Sequence, residues 1–177
     1  MPFPQLESKR LILRQLKVSD LNEIFSIRSN AEISEFLDRP LAKTLDEAGK
    51  FITKINKGIK NNEWIYWALA PKHENKLIGT ICLWKILENK NQAEIGFELL
   101  PEYQGKGLMQ EALSEVLEYG FNTMGLNKID GEVDPRNIKS IRLMLKNGFV
   151  KTIDLGHNKS EEGKILNTVV FTLLNVK

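Results

Sequence analysis

Cysteine is almost absent from this chain. Cys82 stands alone among 177 residues, so no intrachain disulfide can form and a reducing compartment is expected. It lies inside the apolar run Leu77–Leu83, where a buried, inert thiol is the natural reading. Charge of one sign is also lacking. Lys and Arg number 25 against 23 Asp and Glu, which leaves +2 spread along the chain and gives no reason to expect nucleic acid or a membrane as partner. A local acidic pocket for an amine, or a basic one for phosphates, stays open. No apolar run approaches the ~20 residues that span a bilayer. The opening Met1–Glu7 lacks the basic start and apolar stretch of a secretion signal, so the expected location is cytoplasmic. The two histidines, His73 and His157, fall in polar segments far apart, without Cys or acidic residues at ligand spacing, and no metal is expected. There is no repeat, no low-complexity segment and no linker. The expectation is one globular domain over residues 1–177.

What is present is a change of pattern along the chain. Leu11-Ile12-Leu13 predicts an initial strand. Asp20 with Glu23, and Thr44 with Glu47, have capping-box spacing ahead of helical apolar runs. The runs Trp64–Ala70, Leu77–Leu87 and Gln92–Leu100 predict three antiparallel strands, with Trp64, Trp67 and Trp84 as core or pocket wall. Strand and helix then alternate. Leu108, Met109, Ala112, Leu113, Val116 and Leu117 form one apolar helical face, and Lys128–Val133 is a short strand ended by Asp134-Pro135. Ile138, Ile141 and Leu145 outline a second helix closed by Gly148. Phe149–Leu155 and Ile165–Leu174 predict a last hairpin around the polar loop Gly156–Lys164. The class is α/β with a mixed sheet.

The most informative segment is Gln104–Met109, where a strand runs into Gly105-Lys106-Gly107 and straight into a helix. A helix start presents unpaired N–H groups and the positive end of the dipole, and glycines let an anion approach them closely. A nucleotide P-loop needs Ser or Thr after the Lys, but Gly107 follows Lys106. A dinucleotide fingerprint needs a third glycine where Gln110 stands. The bland alternative is that two glycines merely turn the chain.

Gln104-Gly-Lys-Gly-Leu-Met resembles the Gln/Arg-x-x-Gly-x-Gly/Ala signature of the GNAT superfamily of N-acetyltransferases, with Met109 in place of the usual Gly or Ala. Four segments keep the family's order and spacing: Glu7–Arg14, Ala93–Phe97, Pro101–Gly107, and Asn137–Arg142 through Lys146–Phe149. The whole set is most similar to the Rim-type branch, which acetylates ribosomal-protein N-termini. The resemblance implies a single domain with a central, mostly antiparallel sheet of about seven strands flanked by about four helices. It also implies acetyl-CoA as cosubstrate and no metal.

By that resemblance, the strand before the loop splays from Lys128–Val133 and the CoA arm lies in the gap. The pantetheine would pair with Phe97, Glu98 and Leu99. The pyrophosphate would rest on Gln104, Gly105, Lys106, Gly107, Leu108 and Met109, with a polar contact from Asn137. The chemistry needs a base for the ammonium and donors for the thioester oxygen. Glu94 is the first candidate base; Glu98, on the same face, and water are the others. Many relatives use as acid a Tyr where this chain has Met144. The Rim-type branch places a Ser three residues after the Asn, and Ser140 matches, although it equally suits an ordinary first helical turn. The implied acceptor is a protein or peptide N-terminal α-amine. Glu161-Glu162 is the only adjacent acidic pair in the C-terminal half, too little by count for a polycation site. A small amine (polyamine, amino acid or aminoglycoside) is the alternative, as is a non-catalytic acyl-CoA sensor. An exposed strand edge would suit a homodimer.

Overall fold

The computed structural model describes residues 2–87, 91–159 and 165–176, with the backbone alone at 157–159 and 165–166. The chain opens with strands β1 (Leu6–Glu7) and β2 (Leu11–Gln15), then helices α1 (Leu21–Arg28), α2 (Ala31–Ser34) and α3 (Leu45–Lys60). The apolar runs of the middle form β3 (Ile65–Pro71), β4 (Gly79–Leu87) and β5 (Gln92–Leu99). Helix α4 (Leu108–Glu118), strand β6 (Lys128–Val133), helix α5 (Ile138–Lys146) and strands β7 (Val150–Lys159) and β8 (Ile165–Leu174) follow.

The eight strands form one sheet in the order β1-β2-β3-β4-β5-β6-β8-β7. Every neighbouring pair is antiparallel except β5 with β6. This is the mixed, mostly antiparallel sheet expected, with eight strands and five helices among the described residues where about seven and about four were anticipated.

Strand alternation divides the apolar residues between two faces. Trp67 and Leu69 of β3 join Ile81, Leu83 and Ile95 beneath Leu113 and Val116 of α4. Ala68, on the opposite face, packs under Ile24 and Ile27 of α1 and Ile52 and Ile55 of α3. Helices thus cover both sides of the sheet and leave the β5–β6 region as the place where it opens.

The two predicted caps fare differently. Thr44 caps α3 by accepting the Glu47 N–H at 3.3 Å, and Glu47 accepts the Lys43 N–H at 2.7 Å. Asp20 precedes α1 but does not cap it with its side chain. Its carboxylate receives both terminal nitrogens of Arg14 at 2.8 Å and the Lys17 N–H at 2.8 Å. A buried guanidinium makes a stronger demand than a helix end, so the expected Asp20–Glu23 box is not formed. The start of the predicted terminal loop, Gly156–Lys159, is strand instead. His157 lies on β7, whose pairing with β8 extends to Lys159 and Ile165, and Glu161-Glu162 falls outside the described residues.

Arg14 and Asp20 have only 7% and 5% of their side chains exposed. Removing one member of such a pair strands the other charge, at about 3–5 kcal/mol. Asp20→Ala is therefore expected to lower unfolding stability by about that amount in urea titration, and a loss under about 1 kcal/mol would show that Arg14 finds water instead.

Candidate active site

The parallel pairing of β5 with β6 lasts for three residues, Gln92 with Lys128, Ala93 with Ile129 and Glu94 with Asp130. Beyond Glu94, β5 continues on β4 and β6 continues on β8, so the two strands part. Pro135 has no N–H for a ladder, and the Asn137 N–H closes a turn on the Asp134 carbonyl at 2.8 Å. Helix α5 starts there, capped by the Asn137 side-chain oxygen on the Ser140 N–H at 3.2 Å. It packs tightly on β6: a Cβ at Gly131 would stand 2.5 Å from Met144 Cε. The gap between the parted strands holds a cavity of about 390 Å³, lined among others by Glu94, Gly96, Phe97, Glu98, Asn137 and Ser140. A shallow depression of about 700 Å³ between α1 and α3 involves neither parted strand.

The loop at the other end of β5 is braced from three sides. Gln104 donates its side-chain amide to the Leu99 carbonyl at 2.9 Å and accepts from Lys139 Nζ at 3.0 Å. Arg10 donates to the Lys106 carbonyl at 2.9 Å and to Glu111 at 2.6 Å, while Ser8 donates to Glu111 at 2.8 Å. Burial opposes ionisation of Glu111, but the hydrogen bonds from Ser8 and Arg10 outweigh it and hold the carboxyl below its usual range. Gly105 and Gly107 have φ of +73° and +74°, a left-handed conformation that glycine adopts without strain. Apart from its chain neighbours, no heavy atom among the described residues lies within 4 Å of a Cβ built on Gly105. Leu108 and Met109 turn their side chains into the core. That explains how a Met is accommodated at the signature's last position: at Leu108 and Met109 the loop offers backbone N–H groups of the first helical turn, which no helical carbonyl can reach. The Lys106 side chain is exposed, with Nζ 5.6 Å from the Tyr103 ring.

The two candidate bases sit on one face with Gly96, opposite Trp84, Cys82 and Thr80 of β4, yet their surroundings differ. Glu98 is held by both terminal nitrogens of Arg39 at 2.6 and 2.9 Å. Glu94 is 8% exposed and pairs with Lys85 Nζ at 2.7 Å. Burial raises the Glu94 carboxyl above its usual range; the Lys85 hydrogen bond opposes this, and nearby Glu132 and Asp130 reinforce it. Cys82 also lines the cavity, and burial with the nearby Glu98 charge pushes its thiol up to about 12. It is a thiol at neutral pH, not a nucleophile. Asn137 uses its carbonyl oxygen as a cap, which leaves its amide nitrogen for a ligand. Met144, buried, fills the place where many family members carry a Tyr.

Several residues of the cavity wall escaped the sequence reading, Arg39, Glu132, Asp134 and Asn167, as did Lys85, which pairs with Glu94 and Glu132. None belongs to a local motif, and sequence distance hides their convergence. Two buried side-chain atoms of cavity-lining residues have no hydrogen-bond partner among the described residues, Arg39 Nε and Asn167 Oδ1. Among the described residues no group of His, Cys, Asp and Glu is arranged to hold a metal ion, and no helix is long and apolar enough to cross a membrane.

The parted strands, the glycine loop at a helix start and the polar cavity between them describe an acyltransferase site. The acetyltransferase (GNAT) domain model matches residues 10–150, and the chain belongs to that family of N-acetyltransferases, which use acetyl-CoA. The N-acetyltransferase YoaA of Bacillus subtilis (strain 168) is 33% identical over 172 residues, covering 97% of each chain. The solved spermidine N-acetyltransferase of Vibrio cholerae, in complex with CoA and spermine, is 27% identical with a TM-score of 0.81, over 93% of this chain and 95% of that one. The ribosomal-protein-S5-alanine acetyltransferase of Vibrio fischeri, 24% identical with a TM-score of 0.78 over 97% of each chain, shares the fold.

Because Glu94 binds its proton more tightly in the fold than in the unfolded chain, its protonated form favours folding. That contribution is present below the ordinary carboxylate range and is lost as pH rises through the raised value. Carbon NMR of the Glu94 carboxyl is expected to give a midpoint above that of an exposed glutamate, and Lys85→Met should move it further up. A midpoint at the ordinary value, or a downward move in the variant, would contradict this electrostatic picture.

Proposed function

We propose that the chain, as one domain over residues 1–177, acetylates a primary amine within the β5–β6 gap. The acetyl-CoA arm would lie between the strands, its pantetheine along Phe97, Glu98 and Leu99. Its pyrophosphate would lie on the backbone from Gln104 to Met109, and Asn137 would contact the arm. The observation that carries this reading is the parting of β5 and β6 at Glu94, beside free N–H groups at the start of α4. The room around Gly105 and the available amide nitrogen of Asn137 fit such an arm. Acetyl-CoA supplies the thioester carbon that the amine attacks directly in the ternary complex. Glu94 takes the amine proton, directly or through one water, a task suited to a carboxyl whose value is raised toward neutrality. Unpaired N–H groups of β5 beyond Glu94 steady the thioester oxygen. Ser140, at the cavity wall on the first turn of α5, gives a proton to the departing thiolate.

For the acceptor, the fold changes the weights. No dense acidic run exists in the sequence, yet Asp38, Glu94, Glu98, Glu132 and Asp134 gather at the cavity, which supports a cationic amine. We favour a protein or peptide N-terminal α-amine, in keeping with the Rim-type branch: an α-amine, with a reference pKa of about 8 against about 10 for a lysine amine, asks less of a carboxylate base. Spermidine is the second reading, favoured by the carboxylates and by the solved V. cholerae relative. Pairing of two copies through the outer edge of β7, where Val150, Ile153 and Leu155 are exposed, belongs to the same proposal.

Two variants test the site. Gly107→Val places a β-branched residue at φ +74°, and it is expected to abolish acetyl-CoA binding by calorimetry while circular dichroism stays native. Undiminished binding in a folded variant would remove the loop from the site. Ser140→Ala should lower turnover about 100-fold with acetyl-CoA affinity unchanged, as for a lost acid; near-normal turnover would leave Ser140 a helix residue only. For the acceptor, an N-terminal peptide pool should outcompete spermidine and free amino acids in kcat/KM at equal concentration. The reverse order would replace the peptide assignment and spare the transfer chemistry.

A further inference from the structure

Lys85 pairs with two carboxylates of the cavity wall, Glu94 and Glu132, and the transfer described above gives it no task. Strand alternation should point it away from Trp84 and so away from Glu94. Instead, the β4–β5 register slips between Trp84 and Leu87, and Lys85 has φ of +47°. A side chain in that conformation costs about 1–2 kcal/mol of backbone energy, and such outliers concentrate where function requires them. The result is a lysine turned toward Glu94 and Glu132, both of which line the cavity. Its Nζ lies 2.7 Å from Glu94 Oε2, 3.4 Å from Glu132 Oε1 and 4.4 Å from the centre of the Trp84 ring. The side chain is 49% exposed, so the amine has room to swing, while its carboxylate partner is buried. An exposed pair alone would hold a lysine weakly. Here the bulge, two carboxylates and an aromatic face act together.

The chain thereby delivers a primary amine of its own to the carboxylate that strips the acceptor's proton. We infer that Lys85 is an internal acceptor, acetylated by its own active site when no outside amine is present. This rests on Glu94 being the base. In the step, Lys85 Nζ passes one proton to Glu94 and its lone pair attacks the acetyl carbon of acetyl-CoA. The C–N bond forms and the C–S bond breaks as Ser140 gives its proton to the departing sulfur; the second amine proton, lost as the amide forms, restores the Ser140 hydroxyl, and Glu94 releases the first to solvent. The products are Nε-acetyl-Lys85 and CoA. The reaction is slow, because Glu94 and Glu132 stabilise the ammonium form and keep the free amine scarce. It happens once per chain, because an amide nitrogen does not attack again. It also removes the cation that offsets Glu94 and Glu132, deepening the negative charge that meets a cationic acceptor.

The test is incubation of the native chain with acetyl-CoA and no amine, followed by peptide mass mapping. A single acetyl group on Lys85 is expected, at a rate independent of protein concentration. In Gly107→Val, Lys85 should be labelled no faster than the exposed Lys50 and Lys139. Glu94→Gln should slow the labelling of Lys85 at least ~10-fold. In the labelled chain, freed of acetyl-CoA, the Glu94 carboxyl should titrate higher, as in Lys85→Met. Label scattered evenly over exposed lysines, a rate proportional to protein concentration, or an unmoved Glu94 midpoint would each overturn the inference. If Lys85 stays unlabelled while a peptide or spermidine is acetylated, the inference fails and the transfer chemistry stands. If neither Lys85 nor any amine is acetylated by a chain that binds acetyl-CoA, both fall.

Discussion

One strand pair governs the active-site region. In a sheet that is otherwise antiparallel, β5 and β6 run parallel and stay together for three residues. A parallel pair needs a crossover, and the segment that crosses here contains the glycine loop and α4. The same connection that makes the pair parallel therefore brings a helix start to the end of β5. Once the strands part, the free edge of β5 and the first turn of α5 face each other across a polar gap. Ligand room, backbone donors and candidate proton carriers all follow from that separation.

Keeping the gap open while the rest packs is a matter of bracing. Met144 against Gly131 fixes α5 on β6, and its capping Asn137 sets where Ser140 stands. Arg10, reaching from the N-terminal hairpin, ties the Lys106 carbonyl and Glu111 together, so the loop is held from outside the motif that defines it. Gln104 joins the loop to Leu99 and, through Lys139, to α5. Its side chain serves as a strut, and the anion-binding capacity resides in backbone groups.

The charges around the gap are organised as pairs of unequal burial. Glu98 is locked by Arg39, whereas Glu94 has a partner, Lys85, that is half exposed on a bulged strand. Two carboxylates on one strand face thus differ in how readily each exchanges a proton. Burial raises Glu94 and its ion pair restrains that rise, so its behaviour depends on where the Lys85 ammonium is.

Much of this was legible in the chain because it is encoded locally. Apolar periodicity located β2 to β6 and helices α3 to α5 to within a few residues, and Gly148 closed its helix as read, with φ of +84°. The Gln104–Met109 segment announced a strand, a tight loop and a helix start, and alternation placed Glu94, Gly96 and Glu98 on one face. Sequence alone also ruled out disulfides. What it did not contain were the partners of buried charges. Asp20 looked like a cap because neighbours along the chain suggested one, but Arg14 claimed it. The polar run after Gly156 read as loop, whereas backbone pairing extends β7 to Lys159. The acidic cavity was invisible because its members come from the segment after α2, from β5 and from β6 and its exit. Lys85 was hidden for a subtler reason: alternation assigns it to the wrong face, and only a positive φ at a bulge reverses that. Local propensity and period determine which elements form; long-range pairing of charges and the register of strands decide which side chains meet, and those depend on the assembled sheet.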